Sequence, residues 1–403
     1  MNKSNNPPIV VCSGLTVLWC FESSGLHIVV ASPHPNNLAF SSKFCKQKAV
    51  IADPTLFPRK TISDLIALSK TFSEKPVLYY GDDVYLLFIS RHRAELSPYY
   101  QFSLPNEALL EDLTSKSRFA LLSKRMDLPM PKTIWSQEVQ SAEDALSLIS
   151  FPCILKPHSH IGWAQSRLIK DNLGKPYKAI RADNPDQFRY VYNELKAFTD
   201  DFVIQEYIEG DANAIYSFHA YLNQQSEPMA YYVGRKIRTY PIEAGESTFV
   251  ELVNEPAVVL MGMEILKKIK FVGIVKIDLK KDPIRNCFYV LELNARYNLW
   301  NYLGTRCGIN LPMLAYYDIT GQSTQATPLQ KNYKTGIRWV CFIDDLHAFR
   351  DLQKAGKITL IKWLSSYLSP IVCNVFKWND PIPFFLWFTR AVWKNISKKA
   401  SSR

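Results

Sequence analysis

Residues 273–298, GIVKIDLKKDPIRNCFYVLELNARYN, carry the side chains best placed to do chemistry. The Asp282-Pro283 pair is a turn signal that divides them into two strand-like runs. Side chains alternate faces along a strand. Val275, Ile277 and Leu279 therefore share one face of the first run, and Lys276 and Asp278 the other. In the second run Tyr289, Leu291 and Leu293 share one face, and Glu292 and Asn294 the other. Paired as a hairpin centred near Arg285, the runs set Asp278 opposite Glu292 and Lys276 opposite Asn294. Carboxylates so opposed repel by roughly a few tenths to 1 kcal/mol. A divalent cation with oxygen ligands would turn that repulsion into a binding site. A solvent-facing hairpin, charged only to stay soluble, has the same pattern, so residues upstream must decide.

The elements that would position this hairpin come from a chain of 403 residues, long enough for two or three domains. It is 47% hydrophobic and 21% charged, which is globular and not disordered. The net charge of +11 favours anionic partners such as nucleotides, phosphates, acidic glycans or lipid headgroups. No basic-aromatic module of known spacing is present, so nucleic acid is not an expected partner. The eight cysteines are scattered, without a CxxC pair or zinc spacing, which fits a reducing compartment. The apolar stretch Ile9 to Phe21 is broken by Ser13, Gly14 and Thr16, so neither a signal peptide nor a spanning helix is expected.

Residues 9–31 read as strand (IVVCSG), helix (LTVLWCFESSG) and strand (HIVVAS), the opening of a doubly wound parallel sheet. Alternation continues through KAVIADP, a helix near 61–73, PVLYYGDD and a helical run over 83–93. Gly14 sits at a strand-to-helix turn, but the GxGxxG fingerprint is absent. Residues 107–126 read as one helix containing Lys116. In FPCILKPHSHIGW, Lys156 ends an apolar strand and Pro157 blocks helical continuation. A buried ammonium there requires an anionic partner, and a phosphate is a common one. FVIQEYIEG (202–210) is a strand with a glycine stop. SFHAYLN, MAYYVGRKIRTY and STFVELV then read as antiparallel strands. Arg235, Lys236 and Arg238 mark either a polyanion or carboxylate site or a basic edge strand. Pro256 opens the helix that precedes the hairpin.

This order resembles the ATP-grasp superfamily, in which two α+β lobes grip ATP. The match is a Rossmann-like start, a helical lysine, a strand-end lysine, a hinge strand and an acidic strand pair. It covers roughly residues 7–321. GRKIRTYP, GEST and LELNARYN are similar to signatures of its carboxylate–amine ligase branch, the branch of D-aspartate ligase-like enzymes. The resemblance implies mixed α/β and α+β architecture. A Rossmann-like pre-ATP-grasp domain (1–115) would precede a two-lobed ATP-grasp domain (116–321) and a small C-terminal extension (322–403). By the same resemblance, Lys116 and Lys156 touch the nucleotide phosphates, and Gln205, Glu206, Tyr207 and Ile208 read adenine. Asp278, Glu292 and Asn294 hold Mg2+, for which Mn2+ could substitute. Lys276 fills a basic position before the first metal ligand, and Arg296 stabilises an acyl-phosphate. Two departures stand out. The loop HSHIGWAQS after the strand lysine is poor in glycine. The ribose-binding acid falls on Ala212, with Asp211 as its substitute.

The implied activity is an ATP- and Mg2+-dependent ligase that joins a carboxylate to an amine of an amino acid or amino sugar, in the cytoplasm. A catalytically silent ATP-binding protein is the alternative. Phosphorylating the carboxylate gives it a good leaving group, and such transfer relies on positioning and charge stabilisation. The final segment, DPIPFFLWFTRAVWKNISKKASSR, has no acid after Asp380 and mixes aromatic with basic residues. It reads either as a helix at the inner membrane face through 381–403 or as a helix docked on the protein itself.

Overall fold

The run Ile9–Cys12 is apolar at every position because it is covered on both faces, as central strands of parallel sheets are. In the computed structural model, which describes residues 6–12, 14–157, 179–242, 245–323 and 328–401, this run is β1. It lies in a four-stranded parallel sheet with β2 (Ile28–Ser32), β3 (Gln47–Val50) and β4 (Val77–Tyr80), in the order β3-β2-β1-β4. Helix α1 (Leu15–Trp19) is far shorter than the sequence suggests, and Gly25 at φ +68 lies in the turn leading to β2. Helices α2 (Pro58–Ser69) and α3 (Asp83–Arg91) follow, and the Asp82 carboxylate accepts from the Tyr85 N–H to cap α3.

The segment read as one helix over 107–126 is two, α4 (Glu107–Thr114) and α5 (Lys116–Arg125). Ser115 leaves helical geometry at φ −100, ψ 128, and its hydroxyl accepts from the Arg118 N–H. That break makes Lys116 the first residue of a new helix and aims it at the cleft.

A small antiparallel sheet follows, made of β5 (Thr133–Trp135), β6 (Cys153–Pro157), β7 (Ile180–Ala182) and β8 (Phe202–Glu206), in the order β5-β8-β6-β7. Helix α6 (Pro185–Phe198) buries Phe188, Val191 and Leu195 against it, so this unit has its own core. The loop HSHIGWAQS lies outside the described residues.

The third sheet carries the hairpin. Its strands are β9 (Ile215–Leu222), β10 (Pro228–Tyr240), β11 (Glu246–Leu252), β12 (Gly273–Asp282) and β13 (Cys287–Asn294), with helix α7 (Pro256–Lys268) between β11 and β12. Two short strands from the C-terminal part, β14 (Arg338–Val340) and β15 (Ile371–Cys373), complete the order β13-β12-β9-β10-β11-β14-β15. Strand β10 is thus interior, which removes the edge-strand reading of Arg235, Lys236 and Arg238. The core of this sheet merges with that of the first sheet.

Helix α8 (Phe342–Lys354) fixes the C-terminal part through Asp345, which is fully buried. Arg238 donates to both its oxygens, each at 2.8 Å, and Thr248, Trp363 and Tyr367 donate as well. Removing one partner of a buried pair leaves a charge without compensation. Asp345→Ala is therefore expected to cost about 3–5 kcal/mol in urea unfolding; a loss below about 1 kcal/mol would contradict this account. Among the described residues no helix is long and apolar enough to cross a membrane.

Candidate active site

The hairpin pairs in the register its alternation implies: Lys276 with Asn294, Ile277 with Leu293, Asp278 with Glu292. Val275, Ile277 and Leu279 are fully buried on the core side. Beyond Asp278 the register slips, because Leu279 pairs with Val290 and Leu291 is the extra residue. A bulge of this kind re-aims side chains. It corrects the expected grouping of Tyr289, Leu291 and Leu293. Phe288 and Val290 enter the core, Tyr289 turns out toward Arg285 (3.2 Å), and Leu291 joins Glu292 in the cleft wall.

Facing sheets enclose a cavity of about 150 Å³. Lys116, Lys156, Gln205, Glu206, Tyr207, Ile208, Asp278 and Glu292 all line it. Asn294, Lys276 and Arg296 lie along the hairpin from it, linked by hydrogen bonds. Asp211 instead lines a neighbouring space of about 610 Å³, where it is paired to Lys357 at 2.7 Å. The two spaces share Tyr207, Ile215, Gly245 and Lys280.

Charge dictates the local geometry. Glu292 accepts from Lys116 at 2.9 Å and from the Asn294 amide at 3.2 Å. Asp278 is buried, with its Oδ1 accepting from Ser217 at 2.5 Å and its Oδ2 from Lys276 at 2.9 Å and Lys236 at 3.4 Å. Burial works against the Asp278 charge, but Lys236 and Lys276 outweigh it and hold its pKa below the usual carboxylate value. The Lys276 ammonium lies over the Trp300 ring, 5.0 Å from its centroid. Gly234 admits that ring, since a Cβ there would come within 2.6 Å of it. Arg296 donates to Asp83 at 2.7 Å and to Asn294 at 3.3 Å, so α3 of the first sheet's unit braces the hairpin.

Lys156 donates to Gln205 Oε1 at 2.7 Å, and Gln205 donates to Thr133 Oγ1 at 2.7 Å, so the hinge strand holds the lysine. The hinge continues through backbone bonds, Glu206 N–H to Lys132 O and Tyr207 N–H to Pro152 O. Burial first, and then the neighbouring charges of Lys116 and Lys280, push the Lys156 pKa down to about 7. Sequence reasoning passed over Ser217, Lys280, Leu291 and Asp83. Only the register across β9 reveals the first, and only the bulge reveals Leu291.

Asp278, Glu292 and Asn294 offer hard oxygens on neighbouring positions, a donor chemistry that fits a divalent cation such as Mg2+. Among the described residues no group of three or more His, Cys, Asp or Glu is assembled to hold a metal alone. The donor set therefore suits a cation that also takes ligands from a bound anion.

No family model matches this chain. It is 25% identical over 246 residues to a D-aspartate ligase of Enterococcus faecium, covering 59% of this chain and 57% of that protein. It is 22% identical to the carbamoyl phosphate synthase large chain of Pseudothermotoga lettingae over 69% of this chain and 24% of that one. The chain thus spans little more than half of the first relative and a quarter of the second. Among solved structures, biotin carboxylase of Campylobacter jejuni superposes with TM-score 0.60 at 14% identity, over 82% of this chain and 74% of that one. N5-carboxyaminoimidazole synthetase of Staphylococcus aureus, complexed with ADP, gives 0.61 at 13%, over 82% and 80%. L-amino acid ligase of Bacillus licheniformis gives 0.56 at 13%, over 78% and 74%. The chain shares the fold of these structures, with a Rossmann-like sheet ahead of two further sheets that face each other across the cleft.

A lysine with a lowered pKa costs folding stability wherever it must be charged. For Lys156 that cost is complete below pH 7 and fades as pH rises from 7 toward the ordinary value of 10.5. Lys156→Met is accordingly expected to raise the melting temperature of ligand-free protein most near pH 6, and progressively less toward pH 9. A gain independent of pH would mean that Lys156 titrates normally.

Proposed function

We propose that the chain is an ATP- and Mg2+-dependent ligase that activates a carboxylate as an acyl-phosphate and joins it to an amine of an amino acid or amino sugar. The observation that carries this reading is the in-register Asp278–Glu292 pair in a cavity lined by Lys116, Lys156, Lys236 and Lys280. Four lysines share the cavity with three carboxylates, of which Glu206 is already paired with Arg285 at 2.6 Å, an arrangement that suits a polyphosphate entering with its cation. In this assignment Gln205 to Ile208 receive the base, and Ile154 and Leu291 supply apolar walls. Lys116 and Lys156 exchange their present acceptors, Glu292 and Gln205, for phosphate oxygens. Glu292, Asn294 and Asp278 would hold Mg2+, which would supply charge neutralisation for phosphoryl transfer. Arg296 stands at the far end of the hairpin, where it meets the charge that develops on the acyl-phosphate. Lys276, held by Asp278 and Trp300, adds a second fixed cation beside it. The eight free cysteines and the use of ATP fit a cytoplasmic enzyme.

The test follows ADP and phosphate release from purified protein with ATP, Mg2+ and panels of acids and amines. Release should need both co-substrates and fall by about 100-fold or more in Glu292→Ala, which removes a charge-stabilising contact. AMP and pyrophosphate as products would overturn the acyl-phosphate route. Ala212 at the expected ribose acid and the Asp211–Lys357 pair favour a second reading, a silent ATP-binding protein. Tight ATP binding with no turnover across the panels would select that reading.

A further inference from the structure

The last helix, α9 (Ile382–Ser401), is fixed at its base and uncovered along one side. Asp380, immediately before it, is buried and accepts from the Trp19 indole N–H at 2.8 Å, the Ser42 hydroxyl at 2.5 Å and the Lys43 backbone N–H at 3.0 Å. On the inner side Phe384 packs against Phe376 and Trp387, and Arg390 donates to the Asn36 carbonyl at 2.6 Å. The helix is therefore anchored to the first sheet's unit in a defined orientation, as the docked reading of this segment expects.

The docked reading does not account for the opposite side. Ile382, Phe385, Leu386, Thr389 and Trp393 recur at spacings of three and four and so share the outward face, with Phe388 on its flank. Phe385 is 60% exposed, Phe388 51% and Trp393 74%. Single exposed apolar residues are ordinary on a folded protein, but Ile382, Phe385, Leu386 and Trp393 gathered on one side of a helix mark an interaction surface.

Charge selects the occupant. From Pro381 onward the chain has no acidic residue but includes Arg390, Lys394, Lys398, Lys399 and Arg403, in a protein of net charge +11. A second copy would bring another basic segment of the same sign, and like charges disfavour that pairing. An anionic lipid surface offers opposite charge to the basic residues and an acyl boundary to the aromatic ones. We propose that α9 lies flat on an anionic membrane surface, with Ile382, Phe385 and Trp393 at the acyl boundary, and tethers the protein there through the first sheet's unit.

Full-length protein is mixed with vesicles of phosphatidylcholine, with and without phosphatidylglycerol, and sedimented. Bromine-labelled acyl chains report tryptophan depth, and analytical ultracentrifugation without lipid reports self-association. Binding to the anionic vesicles is expected, with tryptophan quenching that falls in Trp393→Ser. The double variant Phe385→Ser/Trp393→Ser should weaken partitioning by about tenfold or more. Both positions are exposed, and an unchanged melting temperature verifies folding of the variant. Absence of binding to anionic vesicles would overturn the proposal, as would equal binding of the double variant. So would a concentration-dependent dimer that the double variant disperses, since that would make the stripe a contact between copies.

Discussion

Two carboxylates facing each other on adjacent strands are the constraint around which this protein is arranged. Asp278 and Glu292 cannot sit in register without compensation, and the chain supplies it from every side. Lys116 arrives from the start of α5, Lys236 from β10, Lys276 from the same strand as Asp278, and Ser217 from β9. Each contact fixes an element: the break at Ser115 exists where Lys116 must turn inward, and the interior place of β10 lets Lys236 reach Asp278. Together these charges hold the ligand-free cleft in its geometry.

Much of this was legible in sequence because strand alternation is a strict code. The hairpin register, the parallel opening sheet and the facing of Lys156 with Ile154 all follow from parity and turn signals. Where the code fails, the reason is local. A bulge adds one residue without disturbing either flanking run, so Leu291 read as core although it lines the cleft. The helix over 107–126 kept its apolar spacing across Ser115, so only the serine's cap geometry reveals the break. Strand β15 spans three residues, too short for any periodicity to register, whereas β14 falls within GIRWVCFID, a run that reads as strand-like. Asp345 gave no signal at all, because an acid near a helix start reads as a favourable surface charge. Ser217 and Asp83 share that silence, since their partners lie 61 and 213 residues away.

The cleft also depends on parts of the chain that do not line it. Asp83 reaches from the first sheet's unit to Arg296, and Asp380 ties the last helix to Trp19 and Ser42 in that same unit. Both contacts draw the opening sheet into the architecture of a site whose own residues come almost entirely from the later part of the sequence.

The buried Asp345 has a consequence for how the protein is made. Strand β10 with Arg238 leaves the ribosome more than 100 residues before the carboxylate that neutralises it, a separation of 107 positions. Until that carboxylate emerges, the sheet bearing the hairpin has an open edge at β11 and a guanidinium with no counter-charge to bury against. In a chain that stopped short of Asp345, Arg238 would lack the partner it is buried against. Without β14 the sheet that carries the hairpin would also end at β11, so the C-terminal segments complete the sheet on the side away from the cleft hairpin.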